Sequence, residues 1–232
     1  MEKEIMLETV LDHLAEKRFA ALRTLLSEQQ SADLAELFDE IEREKLIVLY
    51  RLLPKELASE VFVEMPAERA KLLIDSFSDF ELRETLNELY TDDTVDLIEE
   101  MPANVVSRIL QVSAPAMRRE INELLKYPDD SVGSIMATEY VALKKSMTVA
   151  AALDHIRAVA IDKETIYTAY VVDETRHLVG LVTAKDLLLS KTDAVIGEIM
   201  EENVVFSETA DDRESVARIF DKYHLLRIFY FL

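Results

Sequence analysis

Apolar residues recur at intervals of three and four through the first 127 positions, as at Leu34, Leu37, Phe38 and Ile41. That period gathers them on one face of a helix. It predicts amphipathic helices over 11–29, 31–42, 43–54, 54–66, 67–77, 79–90, 91–102 and 102–112, with no glycine among them. Pro54, Pro66, Pro102 and Pro115 and the polar caps Ser31, Ser78 and Thr91 punctuate the segments. The segments also repeat. "SEVFVEMPAERA" (59–70) aligns with "VDLIEEMPANVV" (95–106), their prolines 36 residues apart, and "AELFDEIEREKL" (35–46) is a weaker echo. Short helices repeating with a period in the thirties predict stacked pairs, a superhelical solenoid in which each unit buries its apolar face on its neighbours.

From Gly133 the pattern changes. Strands are expected at 139–143, 165–173 and 177–183, the last two around the turn "ETR", with helices at 149–160 and 184–190. Thr148 should cap the first of these helices, whose Val149, Leu153, Ile156 and Ala160 share a face. The order then begins again with "VIGEIM", a strand at 203–207 and a helix at 211–223. Val216, Ile219, Phe220 and Tyr223 should form the buried stripe of that helix, and no further strand is expected after it. The fold class is therefore α+β: an all-α solenoid over 1–130, an α/β module over 131–195, and an incomplete copy of that module over 196–232.

Charge sharpens the picture. Acidic residues number 46 against 26 Lys plus Arg, a formal net charge of −20. Such a surface repels nucleic acid and anionic lipid and attracts cations. With no cysteine, neither a disulfide framework nor a thiolate metal site is available. No stretch approaches the roughly 20 apolar residues that cross a bilayer, and "MEKEIMLETV" has no signal-peptide character. A soluble chain in a reducing, cytosolic setting is expected.

The acids cluster. "TDDTVDLIEEMP" (91–102) contains Asp92, Asp93, Asp96, Glu99 and Glu100, and from Asn87 to Asn104 there are six acids and no base. Thr91 or Asp92 as an N-cap, with Asp92 and Asp93 at the positive end of the helix dipole, accounts for part of this. It does not account for Asp96, four residues after Asp92, where like charges repel. Eight acids and one base occupy Thr192 to Glu214, among them Asp211, Asp212 and Glu214. There Asp212 could equally complete a capping box with Thr209. Oxygen ligands alone suit magnesium or calcium, and the absence of a "DxDxDG" loop argues against a dedicated calcium hand.

The segments "SIMATEYVALKKSMTVAAAL" (134–153) and "TIYTAYVVDETRHLVGLVTAKDLL" (165–188) together resemble a CBS domain, and "IGEIMEENVVFSETADDRESVARIFDKYHLL" (196–226) resembles the first half of a second. A solenoid with repeated "EMP" ahead of such a pair, joined by "YPDDSVGSIMATEYVAL", resembles the cytosolic region of an MgtE-type magnesium transporter. The resemblance implies a homodimer through the CBS domains, beneath a transmembrane pore that lies outside this sequence. It also implies Mg2+ bound between cytosolic domains as the signal that closes the pore. On that basis Asp92, Asp93 and Asp96 are paired with Asp211, Asp212 and Glu214 as metal ligands, with Glu60 and Glu64 as outer candidates. CBS modules also hold adenine nucleotides such as ATP, which points to Ile166, Tyr170, Thr183 and Asp186. Thr183 and Asp186 could equally do no more than cap the helix that follows them. The chain departs from the family where "RIFYFL" replaces a second "VVD" hairpin.

Catalysis finds no foothold. His13, His155, His177 and His224 are scattered, and the three glycines form no phosphate-cradling loop. The alternative from another class is a stand-alone adaptor, a solenoid that binds a protein with a CBS module as its nucleotide switch.

Overall fold

A computed structural model describes residues 2–175, 177–223 and, in backbone alone, 229–231. His224, Arg176 of the expected "ETR" turn, and residues 227, 228 and 232 of the atypical ending lie outside the described residues. The chain divides into two compact units, residues 1–89 with 93–120, and residues 90–92 with 121–232.

The helical segment comprises α1 (Glu2–Ala15), α2 (Phe19–Ser27), α3 (Ser31–Asp39), α4 (Arg43–Tyr50), α5 (Lys55–Glu64), α6 (Ala67–Ser76), α7 (Asp79–Leu86), α8 (Thr91–Glu99), α9 (Ala103–Val112) and α10 (Pro115–Leu124). Helix α3 packs on α5, α5 on α7, α7 on α9 and α4 on α6. These helices thus meet the ones two places along the chain, which is the contact pattern of a solenoid, while α1 meets α2. Leu22, Leu34, Phe38, Leu49, Phe62, Leu73, Leu86 and Ile109 are fully buried, each such side chain contributing roughly 1.5–3 kcal/mol. Pro54, Pro66 and Pro102 sit at the N-cap positions of α5, α6 and α9, where the missing N–H costs nothing. Ser78 forms a complete capping box with Glu81.

Three expectations fail in this segment. Ser31 does not cap α3 but is its first residue, with Gln30 at the N-cap and no side-chain bond there. The single helix at 11–29 is broken at Lys17, which takes φ 56°. Arg18 N–H returns to His13 O at 2.8 Å, a left-handed helix ending built without glycine. Helix α10 was not expected, because "PAMRREINEL" buries only Ile121 and Leu124 and offers a thin apolar stripe.

Arginines staple successive repeats. Arg108 donates from Nη1 to Ile74 O (2.7 Å), from Nη2 to Phe77 O (2.6 Å) and from Nε to Asp79 Oδ1 (3.0 Å). Arg69 does the same one repeat earlier, to Ile41 O at 2.9 Å and to the carboxylate and carbonyl of Asp39. Arg83 donates to Val112 O at 3.0 Å. Carbonyls at and just past helix ends thus accept from charged donors about thirty residues away, Ile74 O in addition to the N–H of Phe77 at the cap of its own helix.

The second unit contains β1 (Val141–Lys144), α11 (Val149–Val159), β2 (Thr168–Val172), β3 (Leu178–Thr183), α12 (Ala184–Leu189) and α13 (Ile196–Ile199). Strand β1 pairs parallel with β2, and β2 antiparallel with β3. Val141, Leu143, Val149, Ala152, Ile156, Val171, Val182 and Ile196 form its core. Thr148 caps α11 as expected, accepting from Ala151 N–H. The second copy contains β4 (Phe206–Glu208), α14 (Arg213–Tyr223) and β5 (Phe229–Phe231), with β4 parallel to β5. Three corrections apply here. The strand expected at 203–207 starts at Phe206; a further strand, β5, follows where none was expected; and Tyr223 is exposed, outside the stripe of Val216, Ile219 and Phe220. Among the described residues no helix is long and apolar enough to cross a membrane.

Candidate functional site

The acidic helix α8 is anchored at its first residue by a carboxylate that sequence reasoning missed. Glu139 Oε1 accepts from Thr91 N–H at 3.0 Å and from Thr91 Oγ at 2.7 Å, while Oε2 accepts from Thr138 N–H at 3.0 Å. An anion at the positive end of the helix dipole is a stabilising arrangement. Glu139 lies 48 residues along the chain from Thr91, so no local motif announces the contact.

Along α8, Asp92 and Asp93 are half-buried, and Asp96, Glu99 and Glu100 are exposed. The carboxyl of Asp96 is held above the usual carboxylate range. Loss of water around it is the main cause and the charge of Glu100, one turn on, the second. Ionised Asp96 is therefore a cost to this fold. Glu60 and Glu64 stand exposed one turn apart on α5.

Asp211 and Asp212 behave in the opposite way. Asp211 Oδ2 accepts from Ser207 Oγ (2.7 Å) and Glu208 N–H (2.9 Å). Asp212 Oδ2 accepts from Ser215 N–H (2.9 Å) and Ser215 Oγ (2.8 Å). These bonds hold both carboxyls below the usual range, with the serine hydroxyl as the first cause in each case. The capping box between Thr209 and Asp212 is replaced by Asp212 itself capping the first turn of α14. Glu214 is exposed in that turn. Among the described residues, no three carboxylates or imidazoles converge to form a ready metal cage.

Thr183 and Asp186 form a full capping box at the start of α12: Thr183 N–H donates to Asp186 Oδ2 at 3.0 Å, and Asp186 N–H to Thr183 Oγ1 at 3.2 Å. Tyr170 is buried on β2, its ring 5.8 Å from that of Tyr140 in an edge-on contact, and Ile166 is exposed just before the strand. His13 bonds to Thr9 O and His177 to Thr175 Oγ1, both local contacts.

Residues 29–130 match the MgtE intracellular N domain and residues 132–191 match the CBS domain. The magnesium transporter MgtE of Thermus thermophilus is 36% identical over 227 residues, which is 96% of this chain and 50% of that protein. Its namesake from Bacillus subtilis is 24% identical over 93% of this chain and 48% of its own length. The chain thus spans about half the length of these curated relatives. The solved cytosolic domain of the Mg2+ channel MgtE in complex with ATP superposes with a TM-score of 0.90 at 34% identity, over 97% of this chain and 92% of that one. The soluble part of a magnesium transporter superposes with a TM-score of 0.89 at 27% identity, over 98% and 90% of the two chains.

Proposed function

The chain belongs to the MgtE family, as its cytosolic region, and from that premise we propose that it is the magnesium sensor of a magnesium transporter. The division into residues 1–130, 131–195 and 196–232 is part of the proposal. Mg2+ is drawn to the acidic helix α8, at Asp92, Asp93 and Asp96, and to the acidic start of α14, at Asp211, Asp212 and Glu214. Glu60 and Glu64 are outer ligands. Two negatively charged surfaces repel, and a doubly charged ion shared by them reverses the sign. If Mg2+ binds the compact arrangement more tightly, rising Mg2+ shifts the population towards it. Through the rest of the full-length protein, at the cytosolic face of the membrane, that shift closes the pore. The homodimer forms through the CBS domains. An adenine nucleotide, the ligand of the solved relative, is proposed at the first module near Ile166, Tyr170, Thr183 and Asp186.

The observation that carries the reading is the match to the solved cytosolic domain of an Mg2+ channel, together with the run of acids on α8, where six acids and no base stand between Asn87 and Asn104. A nearby cation would offset the repulsion among them. Magnesium keeps most of its waters and takes one or two carboxylates, so it needs no preformed cage. Titration calorimetry with MgCl2 tests the proposal. Binding at millimolar Mg2+ is expected, weakened at least several-fold in an Asp92→Asn, Asp93→Asn, Asp96→Asn triple variant. No binding, or a triple variant that binds like the parent, refutes it.

A further inference from the structure

Residues 128–134 lead from α10 towards β1, yet three of their backbone bonds join them to residues 209–213. Val132 N–H donates to Asp211 O at 2.8 Å, Gly133 N–H to Thr209 O at 2.8 Å, and Arg213 N–H to Asp130 O at 2.9 Å. Ser131 and Asp212 form an antiparallel bridge, and Arg213 Nη2 lies 3.4 Å from Asp130 Oδ1. The Val132 side chain is fully buried against Val216 of α14. On the other side Tyr127 lies flat against Gly133, so close that a Cβ there would come within 2.4 Å of the ring. Ser134 Oγ donates to Asp129 O and Ser131 O, each at 2.9 Å, which closes the segment on itself.

The turn that receives these bonds is shaped by two carboxylates. Asp211 ties back to Ser207 and Glu208, and Asp212 ties forward to Ser215. Both therefore fix the direction of the carbonyls of Thr209 and Asp211, which accept from Gly133 and Val132. Any shift of the first turn of α14 must then be passed to the peptide that connects α10 with β1.

We propose that residues 128–134 form a strap coupling the first turn of α14 to the chain's passage between α10 and β1, with Asp211 and Asp212 as its positioning residues. This coupling stands whether or not a cation binds at α14.

Residue-resolved amide hydrogen exchange on the whole chain, without added metal, tests it. In Asp212→Ala the amides of Val132, Gly133 and Arg213 should lose protection together, by about fivefold or more, with the β2–β3 amides unchanged. Asp212→Asn, which caps a helix as well as aspartate does, should stay within about twofold of the parent. If Ser215 loses protection while Val132 and Gly133 keep theirs, the strap is not coupled to the turn. If Asn fails as badly as Ala, the carboxylate's charge matters and not its cap, and the positioning role falls. Should Asp212→Ala unfold the entire unit, seen as loss of β2–β3 protection, Arg213→Ala decides. Arg213 is exposed, and its removal should loosen the same amides by a smaller, common factor; no change in them overturns the proposal.

Discussion

Replacing Asp96 with asparagine should make the metal-free chain more stable, although it deletes a residue proposed to bind the ligand. Asp96 is a carboxyl whose pKa is raised in the folded state, by lost water first and by Glu100 second. The sign follows from linkage: its contribution is present below the usual carboxylate pKa of 3.8 and is lost as pH rises through the raised value. At pH 7 the group is charged and the fold bears the penalty. The pair with Glu100 is worth about 0.2–0.5 kcal/mol. Desolvation adds to it, but the side chain is exposed, and screening holds the total to about 1 kcal/mol. For a unit of this size that corresponds to a melting temperature higher by about 4 °C. The assay is thermal unfolding by circular dichroism at pH 7, in EDTA and again in 10 mM MgCl2 (roughly millimolar affinity being assumed). In EDTA Asp96→Asn should melt above the parent; in magnesium the parent should gain more, and the gap should close. At pH 3, where Asp96 is protonated, the two should melt together. A variant that melts below the parent in EDTA, or an equal magnesium gain in both, would refute the reasoning.

Arg108 offers a second test. It is the sole charged donor described on Ile74 O and Phe77 O, so Arg108→Ala should destabilise the helical unit by about 2–3 kcal/mol in urea unfolding. Lysine cannot reproduce the fork, and Arg108→Lys should recover less than half of that loss. Tyr50 points the other way. It packs edge-on to Phe62 and against Phe77, and its buried hydroxyl makes no hydrogen bond of good geometry; burial pushes the phenol pKa up. Tyr50→Phe should therefore be neutral or stabilising, by up to about 1 kcal/mol in the same assay, and a loss beyond 1 kcal/mol would show a hydroxyl with a partner.

Much of the fold was legible because it is local. Apolar spacing located α3 to α9, and Ser78 and Thr148 announced their caps by residue type and offset. What stayed hidden is non-local or runs against propensity. Lys17 holds a left-handed ending that glycine usually supplies, so the break between α1 and α2 carries no mark. The arginine staples and the bond that Thr91 donates to Glu139 join residues 28 to 48 positions apart. The candidate site divides along the same line. The acids were visible as a charge pattern, but that pattern could not separate Asp96, a charge the fold disfavours, from Asp211 and Asp212, whose carboxylates are occupied as caps. The distinction depends on which hydroxyls and N–H groups lie within 3 Å, as Ser207 and Ser215 do.

The central claim is that magnesium draws negatively charged surfaces of one chain together, and small-angle scattering across a MgCl2 titration tests it most directly. A radius of gyration that falls as Mg2+ rises through the millimolar range, and recovers in EDTA, is the predicted result. A radius that stays constant across the titration, or falls equally with KCl at matched ionic strength, would contradict it.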